Sequence, residues 1–350
     1  MGCEVCLPRA RGYTVYFSEN ESTELLESYF QEFPDSAYKW VNERIIWLEE
    51  VAFFDLMDYA AVHMDVNHLF AVESPKSDPI KKLNEMRPVR TFRAEREASW
   101  IDDLIDKNSL KTFYQPIVSY SDGKTSIIGH ELLSRGVDEE GKIIPPYKMF
   151  EAARIRNRTF SLDRACRMQC VRNAGAVKDK LIFINFIPTA IYVPEHCLST
   201  TFKLIQELGI KPEQVVFEVV ETDEVEDLEH LKKILNYYRS QGFKYALDDV
   251  GTGYNNLEKL SRMQPDIVKL AIEYTNGVSK DPSKQEAARK VLEMSHNMHA
   301  LALAEGVETE EDYQFLIELG YDLFQGYYFS KPQETPAEDL DITEGAYIKG

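Results

Sequence analysis

The C-terminal two-thirds of the chain repeats one pattern, a short apolar run that gives way at once to an acid, an amide or a lysine. Ile127-Ile128 leads to Glu131, residues 181–184 to Asn185, residues 215–217 to Glu218, residues 245–247 to Asp248 and Asp249, Ile267-Val268 to Lys269, residues 301–304 to Glu305, and Leu323-Phe324 to Gln325. Runs this short and apolar read as strands buried on both faces, and the stretches between them carry helical periodicity. Alternation of strand and helix predicts βα units in a parallel sheet, and a closed ring of such units is a (β/α)8 barrel with all its strand ends on one rim. Ahead of these units, residues 113–118 and 125–133 read as strands joined at Ser121-Asp122-Gly123, and residues 146–156 and 162–176 as helices.

The first 95 residues have another texture, aromatic and acidic. Trp40, Ile45, Trp47, Leu48, Val51 and Phe54 recur at near-helical spacing, which predicts one long helix over residues 37–59. Residues 73–96, with Ser, Pro and many basic residues, read as a partly helical linker. The expected organisation is a smaller N-terminal α+β domain with its linker at 1–95, serving regulation or interaction, an α/β barrel at 96–335, and an acidic tail at 336–350.

Composition narrows the function. The chain has 350 residues, 44% of them hydrophobic, enough for one barrel and a smaller domain. A net charge of −19 argues against binding a nucleic-acid polymer, because that requires a basic face to displace counterions. A phosphate-bearing ligand would therefore enter through metal or through a few local basic residues. The five cysteines are scattered and odd in number, which points to a reducing, cytoplasmic setting. No apolar run approaches the roughly 18 residues of a membrane span, and no signal pattern opens the chain. Cys3 and Cys6 form a Cys-x-x-Cys, but His63 and His68 would sit on different faces of a helix, short of the four ligands of a structural zinc. Cys166 and Cys170, four apart in an apolar helix, read as core thiols.

The rim residues suggest chemistry. Glu131, Asn185, Glu218 and Asp248 offer the oxygen ligands that Mg²⁺ and Mn²⁺ prefer, with no sulfur or imidazole beside them. The pair Asp248-Asp249 is suited to bridge two ions about 3.5–4 Å apart, the geometry of in-line displacement at phosphorus. Gly251-Thr252-Gly253-Tyr254 forms a loop able to close over a substrate. Lys269 can orient a water or offset charge on phosphate, Glu305 can be a ligand or a general base, and Arg135 can clamp a phosphate. Taken singly, each acid is more often a helix cap or a solvated loop residue than a ligand, and Lys269 can be read as a surface lysine and Asn185 as a turn former. Seven of them in register after seven strands point to a site.

Together these segments resemble the EAL-domain phosphodiesterases of cyclic di-GMP, over roughly residues 98–335. Tyr114-Gln115-Pro116-Ile117-Val118 is similar to the opening strand of that family, and Gly129-His130-Glu131-Leu132-Leu133-Ser134-Arg135 to its signature, with Leu132 at the usual alanine. Asn185, Glu218, the Asp248-Asp249-Val250-Gly251-Thr252-Gly253 loop, Lys269, Glu305 in Ala304-Glu305-Gly306-Val307-Glu308-Thr309, and Gln325 in Gln325-Gly326-Tyr327 follow in family order.

The resemblance implies a modified barrel whose first strand runs antiparallel, with hydrolysis of cyclic di-GMP to the linear dinucleotide pGpG by two Mg²⁺ or Mn²⁺ ions. It implies metal ligation by Glu131, Asn185, Glu218, Asp248 and Asp249, and catalytic roles for Lys269, Glu305 and Gln325. Substrate contacts fall to Gln115, Leu133, Arg135 and Asp249, and support to Glu221 and Glu308. A homodimer is also implied.

Three positions depart from the pattern: Val220 stands at a usual threonine, Ile187 at a common serine, and Ala271 at a usual aspartate two residues after the lysine. Ala271 removes a carboxylate beside the second ion. The sequence therefore leaves two activities open, an active phosphodiesterase and a weak or inactive domain that binds cyclic di-GMP as a receptor. A barrel enzyme of other Mg²⁺ chemistry fits the rim but not the order of the motifs.

Overall fold

A computed structural model describes residues 11–18, 23–188, 191, 193–220, 228–251 and 264–340. The N-terminal part is a five-stranded antiparallel sheet of β1 (Gly12–Phe17), β2 (Tyr38–Asn42), β3 (Ile45–Glu49), β4 (Leu69–Glu73) and β5 (Arg87–Pro88), ordered β2-β3-β1-β4-β5. With the helices Thr23–Phe30 and Glu50–His63 it makes the split βαβ arrangement of ferredoxin-like domains.

Two expectations change here. Only the second half of residues 37–59 is helical, since Tyr38–Asn42 and Ile45–Glu49 pair as a hairpin. Ile46, Trp47 and Leu48 are all buried, so this strand is covered on both faces, and a continuous apolar run of that kind has the same periodicity signature as a buried helix. Trp47 lies across Gly12, where an added Cβ would fall 2.1 Å from the indole, and its Nε1 donates to the Ser74 carbonyl at 2.9 Å. The expected linker is also more than a connector, because β5 extends the sheet and Val89 and Phe92 are buried in the same core as Tyr13 and Phe53.

The remaining strands close into a barrel. β6 (Leu110–Ser121) and β7 (Lys124–Val137) form a hairpin, with Asp122 and Gly123 both at positive φ (52 and 75) as a tight turn of this hand requires. β7 also pairs with a two-residue strand, β8 (Ile143–Ile144). Next come β9 (Leu181–Phe186), β10 (Val215–Val220), β11 (Lys244–Val250), β12 (Ile267–Leu270), β13 (Leu301–Ala304) and β14 (Leu323–Gln325), each parallel to its neighbour. β7 joins β9 in parallel, and β6 closes the ring antiparallel to both β7 and β14. The barrel thus has eight strands, one of them reversed. After it, Gln333 pairs with Tyr114 through two backbone hydrogen bonds.

Inside the barrel lie Ile117, Phe183, Val216, Ala246, Ile267, Leu303 and Leu323. The eighth strand contributes Gly129, where a Cβ would fall 2.8 Å from the Leu181 carbonyl oxygen. Helices such as Thr159–Asn173, Leu228–Ser240 and Pro282–Asn297 cover the outside. Among the described residues no helix is long and apolar enough to cross a membrane.

Candidate metal centre at the barrel mouth

The site follows from the interior layer by one step. Side chains two residues apart on a strand share a face, so the residue two places further toward the mouth also points inward. That step leads from Ile117 to Gln115, from Gly129 to Glu131, from Phe183 to Asn185, from Val216 to Glu218, from Ala246 to Asp248, from Ile267 to Lys269, from Leu303 to Glu305 and from Leu323 to Gln325. An apolar floor therefore carries a polar ring. Two more steps along β7 place Leu133 and then Arg135 above Glu131, both half-buried.

One side of the ring is hydrogen-bonded. Glu131 accepts from Asn185 Nδ2 and from Gln325 Nε2, each at 2.7 Å, and Gln325 Nε2 also donates to Gln115 Oε1 at 3.2 Å. Burial would raise the Glu131 carboxyl, but Lys269 and these two donors outweigh it and hold it below its ordinary value.

The other side is ionic. The Lys269 ammonium, 1% exposed, lies 2.6 Å from Glu218 Oε1, 3.0 Å from Asp248 Oδ1, and in contact with Glu305 Oε1. Burial opposes its charge, yet the surrounding carboxylates raise its pKa well above the ordinary lysine value. One ammonium does not neutralise them. Burial first, and then neighbouring Glu131 and Asp248, raise Glu218 well above a normal carboxyl. Glu305 is pushed up to about 8, by burial first and then by Asp248 and Glu131 against the opposing pull of Lys269.

Asp249 joins the same side through its backbone. Consecutive residues of a regular strand face opposite ways, but Asp249 has φ of 56 and the pairing of β11 with β12 shifts between Leu247 and Val250. As a result carboxylate oxygens of Asp248, Asp249 and Glu305 lie within 4.8 Å of one another. Burial and then the Asp248 charge raise the Asp249 carboxyl. Gly251 follows at φ of 126 against the Tyr274 ring.

These donors fit a hard divalent cation. Glu218 Oε2 and Gln325 Oε1 are buried with no hydrogen-bond partner among the described residues, and a buried oxygen left unpaired is costly. Every ligand offered is a carboxylate or amide oxygen, the set that Mg²⁺ and Mn²⁺ take.

Other expected residues are placed less centrally. Arg135 donates to the Ser134 carbonyl at 2.9 Å, and its guanidinium stands 5.7 Å from the Phe113 ring, a neighbour that sequence reasoning missed although it lies one two-residue step beyond Gln115. Glu308 is exposed, with no hydrogen bond or ion pair among the described residues. Ala271 is buried, and its N–H donates to the Val250 carbonyl at 3.1 Å, so the missing carboxylate would have stood beside the strand that bears Asp248. Glu221, residues 252–254, Cys3 and Cys6 lie outside the described residues. Cys166 and Cys170 are buried free thiols.

Comparison with known proteins agrees with this geometry. The chain is 30% identical over 236 residues to a probable cyclic di-GMP phosphodiesterase, PdeG, of Escherichia coli (strain K12), covering 65% of this chain and 45% of that protein. It thus spans about half the length or less of the curated relatives it matches first. A standalone versatile EAL protein from Vibrio cholerae O395, solved in its c-di-GMP bound form, superimposes with a TM-score of 0.59 at 31% identity, covering 66% of this chain and 95% of that one. The EAL enzyme Bd1971 shares the fold over 92% of this chain and 90% of its own, with a TM-score of 0.63 at 17% identity. Residues 98–332, the stretch that builds the barrel and its ring of acids, match the model of the EAL domain, and the chain belongs to that family.

Proposed function

We propose that this chain hydrolyses cyclic di-GMP to linear pGpG, using two Mg²⁺ or Mn²⁺ ions held by Glu131, Asn185, Glu218, Asp248 and Asp249. The observation that carries the reading is the charge deficit of the mouth. Five carboxylates converge on one ammonium, Glu218 and Glu305 are raised toward neutrality, and buried oxygens lack partners. A fold does not keep such a cluster for stability, since each uncompensated buried acid costs free energy. The substrate is taken from the named activity of the PdeG relative and from the ligand in the Vibrio cholerae structure.

Two divalent ions held in this cluster would supply an acidified water and offset the charge that develops on phosphate. The chain's own residues arrange the rest. Asn185 and Gln325 hold Glu131 in one rotamer from two sides. Lys269 keeps a fixed positive charge at the floor of the ring, where it can offset charge that develops on phosphate. Glu305, whose carboxyl burial pushes up to about 8, stands beside Asp248 and Asp249 as the proton acceptor for the attacking water. Above them Arg135 pairs with a phosphate oxygen, Gln115, Leu133 and Asp249 meet the dinucleotide, and Glu221 supports the loop around it, while Glu308, exposed and without a hydrogen bond or ion pair among the described residues, has no such contact here.

The buried free thiols Cys166 and Cys170 support a reducing, cytoplasmic setting, and the homodimer rests on family resemblance alone. One observation favours a second reading, a cyclic di-GMP receptor with little turnover: Ala271 supplies no carboxylate beside β11. Incubation of the full chain with cyclic di-GMP and Mn²⁺, with products separated by chromatography, decides between them. Accumulating pGpG supports hydrolysis, saturable binding without product supports the receptor, and neither result rejects both.

A further inference from the structure

Asp163 lies on the helix Thr159–Asn173, outside the barrel wall, and is 3% exposed. Its Oδ1 accepts the backbone N–H of Ile187 at 2.9 Å, and its Oδ2 faces Arg167 Nη1 at 3.4 Å, with Arg167 itself 2% exposed. Ile187 is the first residue past β9, two places beyond Asn185. Strand pairing has ended there, because β9 last meets β7 at Ile184 and β10 at Phe186. Among the described residues, the Asp163 carboxylate is therefore the acceptor for the first N–H beyond the ladder in which Asn185 pairs with Glu218 and Phe186 with Val219.

Packing alone does not account for the pair. A buried ion pair of this kind is often replaceable by apolar side chains without loss of stability, and the Arg167 contact is long for a charge-assisted bond. What apolar replacement would not keep is the acceptor for the Ile187 N–H. Asn185 in turn donates to Glu131 at 2.7 Å, so its placement sets two oxygen-bearing side chains of the mouth.

We propose that Asp163 is a positioning residue for the metal centre: through the Ile187 N–H it fixes the end of β9, and with it the side chain of Asn185 against Glu131. Its functional consequence rests on the proposed role of Asn185 as a ligand. Its structural content does not.

The test compares the double variants Asp163→Ala/Arg167→Met and Asp163→Asn/Arg167→Met with the parent chain. The first removes the buried charge pair and the acceptor together. The second also removes both charges but restores an oxygen at Oδ1. Expected for the alanine variant are a lowered unfolding midpoint, because the Ile187 N–H loses its acceptor, a half-saturating Mn²⁺ concentration for cyclic di-GMP turnover raised about ten-fold or more, and loss of the Asn185–Glu131 hydrogen bond in its crystal structure. The asparagine variant is expected to return all three to near parental values. Retention of that hydrogen bond and of the parental Mn²⁺ dependence in the alanine variant overturns the proposal. Should the alanine variant not fold, failure of the asparagine variant to keep the Asn185–Glu131 contact overturns it equally. If the parent shows no turnover, the proposed function fails, while the crystal structures still decide the placement of Asn185.

Discussion

Two buried ionic clusters lie at opposite ends of this molecule's logic. At the seam between the N-terminal sheet domain and the barrel, Arg156 is 0% exposed, donates to Glu50 Oε2 at 2.7 Å and to Asp102 Oδ2 at 2.8 Å, and receives Arg11 on its carbonyl. Arg158 adds contacts to Asp102 at 3.0 Å and Asp106 at 2.9 Å, and Tyr13 donates to the other oxygen of Glu50. Cations and anions there alternate, and the positive charge of Arg156 is favoured despite its burial. At the barrel mouth, acids outnumber the one lysine and two of them are pushed toward neutrality. The contrast separates an ion pair that joins two parts of a fold from a cluster short of positive charge. Burial is common to both, and the balance of charge distinguishes them.

The seam offers the largest expected effect. Arg156→Met strands Glu50 and Asp102 without their shared partner, and chemical denaturation is expected to show a loss of about 3–5 kcal/mol. A loss under about 1 kcal/mol would mean that the seam is solvated rather than structural. Turnover per folded molecule should stay within about two-fold, because Arg156 touches no residue of the mouth ring.

At the mouth the ranking reverses. Glu131→Ala is expected to lower cyclic di-GMP turnover by at least about a hundred-fold, since even outer partners of metal ligands cost 10- to 100-fold, with little change in the unfolding midpoint. Steady-state rates with Mn²⁺ check the first part and thermal unfolding the second. A smaller effect follows at Glu218. Because burial and the neighbouring acids raise its carboxyl, so that its charge is disfavoured in the metal-free chain, Glu218→Gln should leave that chain as stable as the parent or more stable by about 1 kcal/mol, while abolishing Mn²⁺ stabilisation.

The smallest expected effect is a slope with pH. Glu305 titrates near 8 when folded and at an ordinary carboxyl value when unfolded, and Glu218 shifts the same way. Between those values the unfolded chain binds fewer protons, so metal-free stability is expected to fall as pH rises from about 5 to 8. Glu131, lowered on folding, contributes the opposite slope, but only at more acid pH. Saturating Mn²⁺ should flatten the decline, and thermal unfolding at stepped pH measures it.

The sequence carried the mouth unusually well because its code is local. Each polar residue stands at a strand end, two places past an interior apolar residue, so the period of the strand alone aligns Asn185, Glu218, Asp248, Lys269 and Gln325. Asp249 and Glu308 were not legible in the same way. The inward turn of Asp249 depends on a left-handed backbone, and the exposed position of Glu308 depends on where the chain goes after β13. The N-terminal hairpin was misread because a strand covered on both faces has no alternation to read, as Ile46, Trp47 and Leu48 show. Arg156 and Asp163 gave no local signal, since their partners lie 106 and 24 residues away.

The most direct test of the account is calorimetric titration of Mn²⁺ into the metal-free chain at pH 7.5, in two buffers that differ in ionisation enthalpy. The account predicts saturable binding with net proton release, and loss of both in Glu131→Gln and Glu218→Gln. Absence of saturable binding, or binding that survives both substitutions without proton release, would contradict it.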